Sequence, residues 1–195
     1  MVKRKTLVKR DLQQIGARVR PPDDKKLREL ILYIAKKSQN DPHFGSTKLN
    51  KLLFFADFIA YGRLAKPISG HKYEKRENGP FLRGFFQIRD DMIRRKNCVE
   101  QEKERFGYTQ KRLLALREPD LSTFSGAEIA IVEEVLESLE KLSARDISEL
   151  AHGFIGWEAC TLGEVIPYET IFISPRKLTE KEKEYGLKLE PTCVG

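Results

Sequence analysis

Residues 46–62 read STKLNKLLFFADFIAYG, the most apolar stretch of the chain. Leu49, Leu52, Leu53 and Ala56 recur at helical spacing, and Phe54, Phe55, Phe58 and Ile59 widen that stripe until most of the circumference is apolar. A helix hydrophobic nearly all round is covered on several sides. It is also short of the roughly 20 apolar residues that a bilayer span needs. The stretch therefore predicts the central helix of an α-rich domain, capped by Ser46 and stopped by a left-handed Gly62. One acid, Asp57, sits in its middle. An unpaired buried charge is costly, so Asp57 must reach a partner or the surface. We expect a structural hydrogen bond or ion pair to a loop; the alternative is a functional polar site inside the domain.

The other elements arrange themselves around this helix. Pro21-Pro22 closes an N-terminal arm, and Asp23 or Asp24 caps a helix running to about Ser38, with Leu27, Leu30, Ile31 and Ile34 on one face. NDPHFG (40–45) is a loop. Ile68, His71, Tyr73 and Lys75 suggest a short strand, followed by a turn at Asn78-Gly79-Pro80. Pro80 is placed to begin a helix over 81–96, with Phe85, Phe86, Ile88, Met92 and Ile93 as its apolar residues. Residues 98–117 read as a hairpin turning near Gly107. Ser125 to Glu128 fits a capping box ahead of a helix to about Leu142, and Ser143 to Asp146 fits a weaker one ahead of a short helix that ends by Gly153. Residues 153–172 are Gly-rich and aromatic, an irregular packed segment, and a charged extension follows, with a helical turn or two and then a frayed end. The fold class expected is mainly α with a small β element (α+β): helices packed around a central apolar helix, plus a short antiparallel strand or hairpin unit. The expected divisions are a basic arm (1–22), the domain (23–176) and the charged extension (177–195).

The net charge of +7 invites a nucleic-acid reading, but its distribution limits it. Residues 1–20 hold seven basic residues against Asp11 alone, a net of +6, so the remaining 175 residues carry +1. Lys3, Arg4, Lys5, Lys9 and Arg10 form a patch able to hold phosphates, though such an arm is also commonly a solvated extension. The helices at 125–142 and 143–153 outline a helix-turn-helix, but the second offers Asp146 and Glu149 beside Arg145 and His152, a poor face for DNA. Cys98, Cys160 and Cys193 form no C-x-x-C pair, and no apolar segment follows the charged N-terminus. The expectation is a cytoplasmic chain in a reducing compartment, with no membrane partner.

Little in the sequence points to catalysis. His43, His71 and His152 have no partners at metal-ligand spacing, and no phosphate-binding glycine loop, nucleophile elbow or zinc-protease motif occurs. The expected catalytic, metal and cofactor assignments are none. An enzyme reading would have to rest on a polar pocket enclosing at least two of Asp57, His71 and Tyr73. Aromatic residues beside arginine, in PFLRGFFQIRD and GFIGWEAC, are the material of protein interfaces, although a core role is as natural for them.

Three blocks, TKLNKLLFFADF (47–58), GHKYEKRENGPF (70–81) and ELAHGFIGWEACTLGEVIPYE (149–169), occur in this order. Together they resemble the Panacea, or SocA-like, antitoxin domain over about residues 25–175. Matching positions include Lys48, Leu49, Lys51, Leu52, Leu53, Phe55, Ala56, Tyr73, Asn78, Gly79, Pro80, Leu150, His152, Trp157, Gly163, Ile166, Pro167 and Tyr168. Phe54 stands where the family often has tyrosine, a departure that removes a hydroxyl. The resemblance implies an antitoxin of a bacterial or phage operon that neutralises a protein toxin by direct binding, one founding member acting as an adaptor to a Clp-type protease. It implies no enzymatic activity. The partner-binding residues expected are Asn78, Gly79, Pro80, Phe81, Arg83, Phe85, Trp157 and Tyr168, with Asp57, His71, Tyr73 and His152 as polar residues of structural or functional use. A homodimer, and promoter DNA held by the basic arm in an operon regulator, are further expectations.

Overall fold

In the computed structural model, which describes residues 21–105 and 107–173, the apolar stretch is the axis of the molecule. It forms α2 (Ser46–Leu64) and packs against α1 (Asp24–Lys37), α4 (Gly126–Leu139), α5 (Ala144–His152), strands β2 (Gly79–Leu82) and β4 (Tyr108–Ala115), and a 3-10 turn at Tyr168–Phe172. Leu49, Leu52, Leu53, Phe54, Ala56, Phe58 and Ala60 are all buried. The remaining elements are β1 (Tyr73–Arg76), α3 (Phe85–Arg94), β3 (Cys98–Arg105), a 3-10 turn at Leu121–Thr123, α6 (Ile155–Ala159) and β5 (Val165–Ile166). The fold is mainly helical with small antiparallel sheets, the α+β class expected. No helix among the described residues is long and apolar enough to cross a membrane.

The ends of α2 differ from the expectation. The cap is Gly45; Ser46 is already helical and donates its hydroxyl to the Lys111 carbonyl instead. The helix passes through Gly62 and ends when Ala65 takes the left-handed conformation, φ 56°. Gly62 serves close approach, since a Cβ there would lie 3.3 Å from the Ile171 side chain. At α1, Asp23 is the cap, accepting from the Lys26 N–H, and Leu27, Leu30, Ile31 and Ile34 form the buried face. Both capping boxes are present, Ser125 with Glu128 and Ser143 with Asp146. Lys48, itself buried, reaches the Glu140 and Leu142 carbonyls at 2.8 and 2.7 Å and Asp41 at 2.7 Å, which ends α4 at Leu139, short of the expected Leu142.

The first hairpin is shifted. β1 begins at Tyr73, the turn lies at 77–78, and Gly79 and Pro80 belong to β2, where Pro80 pairs with Lys75. Pro80 is tolerated because its nitrogen faces the outer edge of the strand, where no ladder bond is lost. The helix it was expected to begin starts at Phe85, after Gly84 at φ 79°. The segment expected to be irregular contributes α6, a 3-10 turn and a third strand: β5 joins β1 antiparallel, Tyr73 opposite Ile166, giving the order β2-β1-β5. The hairpin expected over 98–117 is β3–β4, with Cys98 opposite Ala115, and it forms a separate two-stranded sheet. Arg117 at its end makes a two-pronged contact with Glu29 of α1, at 2.9 and 2.6 Å.

Candidate functional site

Asp57 has zero exposure, and every hydrogen bond it accepts comes from within the fold. Its Oδ1 accepts from the Ser69 N–H at 2.7 Å; its Oδ2 accepts from the Ser69 hydroxyl at 2.5 Å and the Tyr73 hydroxyl at 2.8 Å. The carboxylate thus ties the loop after α2 and the start of β1 to the middle of α2. Burial raises the Asp57 pKa, while the Ser69 and Tyr73 hydrogen bonds oppose the rise. Burial likewise pushes the Tyr73 and Tyr168 phenols well above their ordinary value. Tyr168 donates to the His71 carbonyl at 2.5 Å, and its ring lies 4.6 Å from that of Phe58. His71 Nε2 is 3.3 Å from Asp24 Oδ1, yet the alignment is not that of a hydrogen bond. We take this as a weak electrostatic contact, because burial, acting first, lowers the His71 pKa and favours its neutral form. Asp57 and Tyr73 are both fully buried in this hub, at 0% exposure each. Among the described residues no group of His, Cys, Asp or Glu could hold a metal ion.

A second cluster forms at the β1–β2 hairpin. Neighbouring side chains of α2 serve the outer edge of β2: Asn50 Oδ1 accepts from the Leu82 N–H at 3.1 Å, and Lys51 Nζ donates to the Pro80 carbonyl at 2.9 Å. Lys51 is buried, and burial lowers its pKa to about 8. Gly79, at φ 91°, leaves room for it, since a Cβ there would lie 2.8 Å from Lys51 Cε. His152 stacks on Trp157 at 4.2 Å between centroids, the Lys75 ammonium lies 3.9 Å from the indole centroid, and Trp157 Nε1 donates to the Arg76 carbonyl at 3.3 Å. Asn78, Gly79, Pro80, His152 and Trp157, distant in sequence, therefore meet around one hairpin. Asn78 is exposed, Trp157 half-buried, and Gly79 and Pro80 buried.

Phe81 and Phe85 belong to a third cluster, with Phe86. Phe81 lies 5.6 Å from Phe85 and 5.5 Å from Phe86, ring to ring. Phe85 is 1% exposed and packs on both Phe81 and Phe86, which is 53% exposed, while Tyr168, 6% exposed, packs elsewhere, on Phe58 and Tyr61. The Arg89 guanidinium lies 5.1 Å from the Phe86 ring and is paired with Asp90 and Glu100; Arg83 is exposed at the end of β2. Phe86, in the PFLRGFFQIRD stretch read as either interface or core material, lies on the outside of α3. Lys3, Arg4, Lys5, Lys9 and Arg10 lie outside the described residues, as does the extension beyond residue 173.

The described residues thus form a mainly helical domain around α2, with Phe86 exposed next to Arg89. The profile of the family described as "Antitoxin SocA-like, Panacea domain" matches residues 49–158. The chain belongs to that family. The match takes in α2 through α6 and stops short of Tyr168, a narrower span than the resemblance over 25–175. No curated protein and no solved structure matches the chain significantly.

Proposed function

We propose that the protein is the antitoxin of a bacterial or phage toxin–antitoxin pair and neutralises a protein toxin by binding it directly. Membership of the SocA-like family, over residues 49–158, carries this reading. The exposed Phe86, packed on Phe81 and Phe85 and held beside the Arg89 guanidinium, supports it: an exposed aromatic on a rigid aromatic base is material of interface hot spots. Asn78 and Trp157 would extend the contact along the adjoining hairpin. The test is co-expression with the product of the neighbouring gene. Growth arrest by that product alone, relieved by this chain, is the expected result. A neighbour that is harmless alone, or that stays toxic in this chain's presence, overturns the reading. Proteolytic delivery of the bound toxin to a Clp-type protease is a branch of the same proposal, tested by following toxin lifetime in a protease-deficient strain. Homodimerisation would be read directly from the mass in solution.

The net +6 of residues 1–20 favours a second reading, operon repression through promoter DNA. It requires binding that weakens steeply with salt and is lost when the five basic residues Lys3, Arg4, Lys5, Lys9 and Arg10 are neutralised. Salt-insensitive binding, or none, rules it out.

A further inference from the structure

At the C-terminal end of α3 guanidiniums outnumber the carboxylates that hold them. Asp91, its side chain 14% exposed, is met by Arg94 Nη2 at 2.5 Å, Arg95 Nε at 2.8 Å and Arg28 Nη2 of α1 at 3.4 Å. Arg28 also lies 3.6 Å from Asp24, a carboxylate that faces His71 as well. Lys96 follows directly, exposed and with no ion pair to a described residue. Asp90, the other acid of this helix, is paired with Arg89. Four cations therefore share two carboxylates, a net of +2, of which the negative end of the helix dipole offsets about half a charge. Arg28 Nε is buried and has no acceptor among the described residues. A guanidinium carries five N–H donors, so one shared carboxylate leaves most of those on Arg94 and Arg95 for another acceptor. Their side chains are 76% and 63% exposed, and Asp91 already sets where they stand, which lowers the ordering cost of binding. Phe86 stands on the same helix, eight residues before Arg94 and about 12 Å along the axis. Phe86, Gln87, Asp90 and Arg94 are exposed while Phe85 and Met92 are buried, so the aromatic and the cluster share the outward side. A stable protein interface takes about 20–30 residues from each side, more than the ten of α3, so a partner seated on Phe86 covers the cluster too.

We propose that the outward side of α3 docks a carboxylate-rich stretch of a protein partner, with Arg94, Arg95 and Lys96 as its counter-charges and Phe86 as its apolar anchor. On the antitoxin reading above, on which the partner's identity rests, that stretch belongs to the toxin. The guanidiniums match carboxylates fork to fork, and the charge excess sets orientation and encounter rate. Nucleic-acid phosphates would meet the same charge. The exposed phenylalanine decides for a polypeptide, because a phosphate backbone offers its ring nothing apolar to enter.

The test uses the purified full chain and the double variant Arg94→Gln/Arg95→Gln, in which Asp91 keeps Arg28. Lys66→Gln/Lys141→Gln removes two exposed charges elsewhere and is the control. Thermal melts report that folding is kept; should the arginine variant melt early, Lys96→Gln, which touches no carboxylate, replaces it. The probes are a synthetic peptide of repeating Glu-Glu-Leu, its Gln-Gln-Leu counterpart and a DNA duplex of arbitrary sequence. The wild type is expected to bind the glutamate peptide and not the glutamine one. The arginine variant should weaken that binding by about tenfold or more, Lys96→Gln by about threefold, and the control not at all. The basic arm is the same in every chain, so its own attraction cancels. Phe86→Ser is expected to weaken the same peptide. An equal loss in the arginine variant and the control means general charge alone and overturns the proposal. So does a loss confined to the duplex, which gives the cluster to nucleic-acid phosphates, and so does a wild type that binds no peptide. The arginine variant is also expected to lose neutralisation of the co-expressed neighbour; if it neutralises as fully as the wild type, the proposal falls. A neighbour that the wild type itself fails to neutralise refutes the antitoxin reading, while the peptide result still decides whether α3 binds carboxylates.

Discussion

Replacing Lys51 by methionine tests whether a charged amine is held inside this fold. The lysine is buried and donates to the Pro80 carbonyl, with no carboxylate paired to it among the described residues. Burial lowers its pKa from 10.5 to about 8. At about 1.4 kcal/mol per pH unit, keeping the charged form inside costs about 3 kcal/mol at neutral pH. Below pH 8 both folded and unfolded chains hold the proton, so that cost applies in full. Between about 8 and 10.5 the unfolded chain keeps a proton that the folded chain has shed, so stability from this group rises with pH. Methionine has a similar length and fills the same space without the charge. It also leaves the Pro80 carbonyl unpaired, a loss of about 1–2 kcal/mol. The variant should therefore be about 1 kcal/mol more stable than wild type near neutral pH, by these two magnitudes, and less stable by a similar amount above about pH 10. Urea unfolding followed by circular dichroism at several pH values measures the difference. Cys98, Tyr73 and Tyr168 also have raised pKa values, but they are present in both proteins and cancel. A difference that stays constant from neutral to alkaline pH would refute the reasoning.

Other perturbations have defined outcomes. Asp57→Ala strands the Ser69 N–H and hydroxyl and the Tyr73 hydroxyl inside the core, and chemical denaturation should show a loss of about 3–5 kcal/mol. Arg117→Ala leaves the buried Glu29 carboxylate without its guanidinium and should lower stability by about 3 kcal/mol at neutral pH. Because that guanidinium depresses the Glu29 pKa, the wild-type advantage is present above the ordinary carboxylate range and fades as pH falls through the depressed value, which acid titration of unfolding would follow. Gly79→Ala combines a positive φ with the Lys51 contact and should cost about 1–3 kcal/mol; Lys51→Ala in the same chain should recover the steric part alone. Phe86→Ser should leave the melting temperature nearly unchanged, yet, on the proposed antitoxin function, weaken binding of the neighbouring gene's product by about tenfold or more in calorimetry.

The helical half of the fold was legible because periodicity and caps are local signals. Leu27, Leu30, Ile31 and Ile34 mark a buried face, and Ser125 and Ser143 mark their helix starts, from residues within one turn of each other. The hairpin was displaced because Asn78-Gly79-Pro80 satisfies the local rules for a turn and a helix start equally well. What decided the matter was Asn50 and Lys51, almost 30 residues earlier, which complete an edge strand through the proline. β5 has two residues, too few to show a period. Among the candidate residues, Asp57 was legible as a charge in an apolar setting. Phe85, Phe86 and Tyr168 were not sorted into inside and outside, because the composition of an interface and that of a core are alike.

The Asn50–Lys51 pair also settles how the small sheet can grow. With an amide and an amine standing where a further strand would lie, the margin of β2 is closed to extension, and neither a fibril nor an incoming strand can template on it. Polypeptides that associate along this margin must do so by side-chain fit, a property that a few surface replacements can retune while the backbone scaffold stays as it is.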